Sequence, residues 1–156
     1  MNYRHAYHAG NHADVLKHVV LARVIEHLKQ KDAPFRIYDA HGGIGSYDLE
    51  GVEAGKTLEW REGVGRLFSM DGAPLALAQE ADALIAPWRD CVAAVNEGGA
   101  LKRYPGSPEI ARLLARPQDR LRFNELHPAD FKTLRARYAG DKRAAISDLD
   151  ALVFVK

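Results

Sequence analysis

The run Asp39-Ala40-His41-Gly42-Gly43-Ile44-Gly45 places an acidic residue, an imidazole and three glycines at the end of a short apolar stretch, residues 35–40. Glycines there let a backbone turn sharply and approach a ligand closely. The dinucleotide fingerprint G-x-G-x-x-G does not fit, because Asp48 stands at the third glycine position. An acidic strand end followed by such a loop suits a ligand with cationic groups, and S-adenosylmethionine carries an amino group and a sulfonium. An ordinary turn is the alternative for the loop taken alone. Glu125 closes a second apolar stretch, where a carboxylate can accept from both hydroxyls of a ribose. In dinucleotide folds that residue follows the glycines by roughly 20 positions. The much longer gap here calls for an insertion, and an exposed strand-end glutamate is the alternative. Asp150 would take the next place, accepting from an adenine amino group, if it ends a third strand.

The N-terminus is dense in functional side chains: Tyr3-Arg4-His5, His8, His12 and Lys17-His18 put four of the seven histidines in eighteen residues. His5, His8 and His12 have the three- and four-residue spacing of a helical metal site. Gly10 interrupts them and no cysteine joins them, so no metal is expected. Basic, aromatic and imidazole groups suit RNA phosphates and bases equally well.

Other chemistries fail on spacing. Gly51 to Thr57 resembles a phosphate-binding loop but has three residues between its glycines where four are required. Ser46, Ser69, Ser107 and Ser147 lie in no G-x-S-x-G elbow. A single cysteine, Cys91, excludes a disulfide framework and a multi-thiolate zinc site.

These residues need a scaffold. The chain has 156 residues, 47% hydrophobic and 28% charged, which is ample to bury a core and excludes disorder. No apolar run approaches the roughly 20 residues of a membrane helix, so no membrane partner is expected; the polar, His-rich start and the single cysteine make a reducing, cytoplasmic setting the default. Residues 35–40 and 121–126 are predicted strands, and residues 151–155 a third, with 144–146 as the competing candidate. Residues 14–30 are a predicted helix with a broad buried stripe at positions 15, 16, 19, 20, 24, 25 and 28. Ser107 as N-cap, followed by Pro108 and Glu109, starts another. Pro128-Ala129-Asp130 opens a third, over 131–138, which stops at Gly140. Residues 59–70 and 74–95 read as helices with no strand signal between 47 and 103. The organisation is thus an α/β core of residues 1–46 and 104–156, with a helical insertion at 47–103.

The formal net charge of +1 conceals a division. Residues 44–99 carry ten acidic against four basic groups, and residues 101–143 eleven basic against five acidic. The second block could face a polyanion, although two solvated faces explain it equally.

Together these motifs resemble the RlmJ family of 23S rRNA adenine-N6 methyltransferases. The opening Tyr3-Arg4-His5 … His8-Ala9-Gly10-Asn11-His12-Ala13-Asp14-Val15-Leu16-Lys17-His18 is similar to that family's, as are Asp39 to Gly45, Tyr104-Pro105-Gly106-Ser107-Pro108 and Glu125-Leu126-His127-Pro128. The family usually has Ala where this chain has Gly43 and Ile44. The likeness runs from residue 1 to about 150. It implies a Rossmann-like class I methyltransferase fold with a helical insertion after the first strand, and S-adenosylmethionine as cofactor. It further implies methylation of one adenine N6 in protein-free 23S rRNA. Carried over by position, His18, His41, Ser107, Glu125, Asp150 and Ala151 are expected to contact the cofactor. Tyr3 would engage the target adenosine, while Arg4 and the basic block would hold RNA phosphates. In the family an Asp-Pro-Pro-Tyr motif follows the next strand and holds the flipped adenine, whereas this chain contains no Pro-Pro. The expectation is therefore an N-terminal half, its sheet truncated after about three strands and lacking the catalytic residue. An inactive cofactor- or RNA-binding remnant is the alternative. Such a sheet would leave a face and an edge uncovered and so invite self-association.

Overall fold

A computed structural model describes residues 4–69 and 71–156, and its centre is a three-stranded parallel sheet in the order β1-β4-β5. Strand β1 (Arg36–Asp39) pairs with β4 (Arg120–Asn124), Ile37 opposite Leu121, and β4 pairs with β5 (Ala144–Ser147), Phe123 opposite Ile146. Parallel strands require crossovers. Helix α4 (Ser107–Leu114) lies between β1 and β4 in the chain, and α5 (Pro128–Tyr138) between β4 and β5. Side chains alternate across the sheet. Leu121 and Phe123 are wholly buried and pack with Ile25, Ala111, Leu134 and Tyr138. The opposite face presents Tyr38, 53% exposed.

The third strand is Ala144–Ser147; residues 151–155 do not form it. Ala144 and Ile146 pack into the core beside Leu121 and Phe123, while Asp150 caps a short helix, α6 (Ala151–Phe154), by accepting from the Leu152 amide at 2.9 Å. Buried Asn124 fixes this arrangement. Its amide donates to the carbonyls of Ala40 (3.2 Å) and Leu149 (2.8 Å), and its oxygen accepts from Ser147 Oγ and the Leu149 amide. One side chain thus ties together the ends of all three strands.

Helix α1 (His12–Leu28) starts where Asn11 Oδ1 accepts from the Asp14 amide, the N-cap geometry its sequence favours. Its expected apolar stripe is only partly covered. Ala22 and Ile25 are buried, but Leu16, Val20, Val24 and Leu28 are exposed, and Asp14 and His18 occupy the interior instead. At α4 the N-cap is Gly106, not Ser107, which is the first helical residue. Gly106 donates to the Gly45 carbonyl, and a Cβ there would lie 3.0 Å from that oxygen, so the close approach favours glycine.

Between β1 and α4, a two-stranded antiparallel ribbon that the sequence did not signal joins β2 (Ser46–Asp48) to β3 (Arg103–Pro105). Beyond it lie α2 (Val52–Thr57) and α3 (Gln79–Ala94). The helix expected over 59–70 is instead two 3-10 turns, Glu59–Glu62 and Val64–Arg66, with Met70 outside the described residues. Gly63 breaks it: the Val64 amide donates to the Gly10 carbonyl at 2.9 Å, and a Cβ on Gly63 would sit 2.1 Å from that oxygen. The N-terminal segment therefore crosses backbone to backbone over this turn. Trp88, Val92 and Tyr104 share one core with Ala22 of α1 and Ile110 of α4. No helix among the described residues is long and apolar enough to cross a membrane.

Candidate functional site

Open parallel sheets bind ligands beyond the carboxyl ends of their strands. There, a cavity of about 300 Å³ lies between the loop after β1, the end of β4, the start of α4 and the first turns of α1. Small-molecule sites begin at about this volume.

Two walls of different construction enclose it. The strand-end wall is held by backbone bonds. The Gly42 amide donates to the Asn124 carbonyl at 2.8 Å and the Gly43 amide to Glu125 Oε2 at 2.9 Å, while Glu125 Oε1 accepts from the His127 amide at 2.8 Å. Glu125 therefore clamps the glycine loop to β4, and each of its oxygens keeps a further lone pair for a ligand. Gly43 has φ +59°, and a Cβ on it would fall 2.1 Å from the Tyr47 hydroxyl. Asp39, at the end of β1, accepts from the His41 amide through Oδ1, and its buried Oδ2 has no partner among the described residues.

The opposite wall is ionic. Asp14 is 1% exposed, with Oδ2 accepting from His5 Nε2 (2.8 Å) and the Gly10 amide (2.9 Å) and Oδ1 lying 2.6 Å from Lys17 Nζ. Burial alone would raise its pKa, but the His5 hydrogen bond, the charges of His5 and His18 and the Lys17 bond hold it below the usual carboxylate range. His18 is 2% exposed; its ring stacks on Tyr104, and Nδ1 lies 3.0 Å from the Tyr104 hydroxyl. Burial pushes its pKa down to about 4 against the pull of Asp14, so the ring is neutral at pH 7. Tyr47, whose phenol burial also pushes up, meets the His5 ring edge-on at 5.2 Å.

Of the residues singled out from sequence, His18, His41, Ser107 and Glu125 line this one cavity. Asp150 and Ala151 do not; Asp150 caps α6 and Ala151 begins it. Tyr3 lies outside the described residues. Arg4 sits on two carboxylates, Asp130 of α5 at 3.4 Å and Glu53 of α2 at 3.7 Å. The basic block is also less available than its count suggests. Arg112 pairs with Glu109, Arg116 with buried Asp119, and Arg143 with Asp141. Arg116 also donates to the carbonyls of Lys31 and Ala33, stapling α1's exit to the sheet. Lys132 and Arg135, exposed on α5, make no ion pair with the described residues. Among the described residues no three His, Cys, Asp or Glu side chains are grouped to hold a metal ion; His8 is 2.9 Å from Glu59.

Sequence reasoning missed Asp14, Tyr47, Tyr104 and Asp130 as site residues. The signal for Asp14 was present: a carboxylate three residues after an N-capping Asn, immediately before an apolar stripe.

Residues 32–156 match the family model described as Ribosomal RNA large subunit methyltransferase D, RlmJ. Over its full length the chain is 45% identical to Ribosomal RNA large subunit methyltransferase J of Escherichia coli (strain K12), covering 53% of that protein. It is 42% identical to the protein of the same name from Haemophilus influenzae, over 94% of this chain and 50% of that one. The crystal structure of protein LPL1258 from Legionella pneumophila str. Philadelphia 1, of the family designated DUF519, superposes with a TM-score of 0.75 at 30% identity, over 93% of this chain and 50% of that one. The chain spans about half the length of the curated relatives it matches.

Proposed function

Because the chain belongs to the RlmJ family of ribosomal RNA large subunit methyltransferases, we propose that it carries the S-adenosylmethionine-binding part of an enzyme that methylates the N6 amino group of an adenine in protein-free 23S rRNA. The observation that carries this reading is the convergence of His18, His41, Ser107 and Glu125 on one cavity at the carboxyl ends of β1 and β4. Four residues spread over a hundred positions meet there.

The donor and acceptor set fits that cofactor. S-Adenosylmethionine, when bound, supplies a methyl group activated on a sulfonium. Its carboxylate calls for the donors Lys17 and His18, its ribose for the free lone pairs of Glu125, and its positive charge for a carboxylate such as Asp130 in the cavity lining. Ser107 offers a hydroxyl at the start of α4, and Gly42, Gly43 and Gly106 let backbone approach closely. The 156 residues contain no Asp-Pro-Pro-Tyr run, so none of them is assigned to the methyl transfer itself. Tyr3 is proposed to engage the target adenosine, and Asp150 with Ala151 to reach the cofactor from beyond the present cavity wall. Phosphate contacts fall to the exposed cations of α5 and, on release from its carboxylates, to Arg4.

The cytoplasm is the proposed setting. Self-association is proposed through the open edges of β1 and β5, with the exposed sheet face around Tyr38 adding apolar area. Titration calorimetry with S-adenosylhomocysteine tests the central claim: one site per chain is expected, and no heat at high protein concentration would overturn it. Methyl incorporation into naked 23S rRNA by these 156 residues alone is expected to stay at background.

A further inference from the structure

The helical insertion contributes more than a wall to this site. A fully inaccessible aromatic residue, Tyr104 of β3 at the insertion's base, stands behind His18. The Tyr104 hydroxyl is 3.0 Å from His18 Nδ1, with the rings stacked at a centroid distance of 5.6 Å. A hydroxyl at that position can donate to Nδ1 or accept from it, and the choice sets which proton the imidazole shows to the cavity. Burial decides the choice. Tyr104 is wholly inaccessible, and His18 Nδ1 is the one hydrogen-bond partner of its hydroxyl among the described residues. Accepting from Nδ1 would leave the hydroxyl proton buried and unpaired. The tyrosine proton is therefore donated to Nδ1.

We infer that Tyr104 acts as a one-way donor relay from the base of the insertion, fixing His18 as the Nε2–H tautomer and so presenting a neutral N–H donor to the cofactor cavity. Tyr104 is a positioning residue, acting through His18. Asp14, whose charge reaches the ring, does not compete, because His5, Lys17 and the Gly10 amide already occupy its oxygens. His18 is buried enough to stay uncharged at pH 7, so its donor capacity is set by tautomer and not by protonation. A donor without net charge suits a carboxylate or hydroxyl acceptor on a ligand that is itself zwitterionic. The relay also gives the base of the insertion a chemical role, because Tyr104 reaches the cavity through His18.

What the donor meets rests on the cofactor reading, but the tautomer can be measured without ligand. In a long-range proton–nitrogen spectrum of the ¹⁵N-labelled chain at pH 7, His18 is expected to show an unprotonated Nδ1 and a protonated Nε2. The reverse tautomer, or an imidazolium, would overturn the relay. Tyr104→Phe is expected to yield mixed tautomers and to weaken S-adenosylhomocysteine binding about tenfold, the loss of one hydrogen bond's worth of orientation. Unchanged tautomer and affinity in Tyr104→Phe would sink the proposal. Should the wild-type chain bind no S-adenosylhomocysteine, the cofactor assignment falls, while the ligand-free spectrum still decides the relay.

Discussion

The two walls of the cavity solve the same problem by opposite means. Along α1, charged and titratable side chains are buried and saturate one another: Asp14, 1% exposed, is held by His5, Lys17 and a backbone amide. Across the cavity, the strand ends are aligned through amides, with Asn124 bridging three strands and Glu125 gripping the glycine loop at the solvent boundary. The α1 wall therefore carries both stability and ligand donors, whereas Glu125 on the other wall serves binding more than stability. A buried carboxylate that loses its partners costs more than a half-exposed one, because its lost hydrogen bonds cannot be replaced by water.

Acid should expose the contrast most strongly. His18 binds a proton near pH 4 when folded and near 6.5 when unfolded. Between those values the unfolded chain holds more protons, so stability falls as pH drops through this window and is fully present above it. The expected loss is about 3 kcal/mol. Below it, protonation of Asp14 removes more, since its folded pKa is also depressed. Urea unfolding midpoints at pH 7 and pH 4.5 measure this, and His18→Gln should flatten the dependence. An equally steep profile in that variant would place the acid sensitivity elsewhere.

Asp14→Asn is the next largest effect, about 2 kcal/mol at pH 7, because the neutral amide cannot match the charge-assisted bonds to Lys17 and His5. The mirror experiment on the other wall is Glu125→Ala. It should cost about 1 kcal/mol or less in stability, yet weaken S-adenosylhomocysteine binding at least tenfold. If Glu125→Ala unfolded the chain as readily as Asp14→Asn, the contrast between the walls would be wrong.

The scaffold was legible where local chemistry and burial agree. Residues 35–40 and 121–126 read as strands because alternating apolar positions flanked by Pro and Gly leave few other conformations, and β1 and most of β4 lie within them. Helix α4 was legible from Pro108 and Glu109, but its cap is displaced by one residue, since Gly106 fits best where backbone meets the Gly45 carbonyl. The third strand falls in the earlier of two short apolar runs, not the later one that the pattern favoured. Periodicity cannot separate such runs, and Asn124 selects residues 144–147 by bonding to Ser147 and Leu149. The helix over 59–70 is interrupted for a related reason: Gly63 is needed by Gly10, more than fifty residues earlier.

Which residue types stand at the strand ends and in the N-terminal segment is written in the linear chain, and with it the family to which the chain belongs. Glycine, carboxylate and imidazole at fixed spacing are local chemistry, and local chemistry survives in a string of letters. What each of those groups can do was settled only by folding. Folding set Arg4 on two carboxylates, turned Arg112, Arg116 and Arg143 of the basic block into internal staples, and left Leu16, Val20, Val24 and Leu28 of α1 facing outward while Asp14 and His18 went in. Burial and hydrogen-bond partners fix protonation, tautomer and availability, and they come from residues tens of positions away.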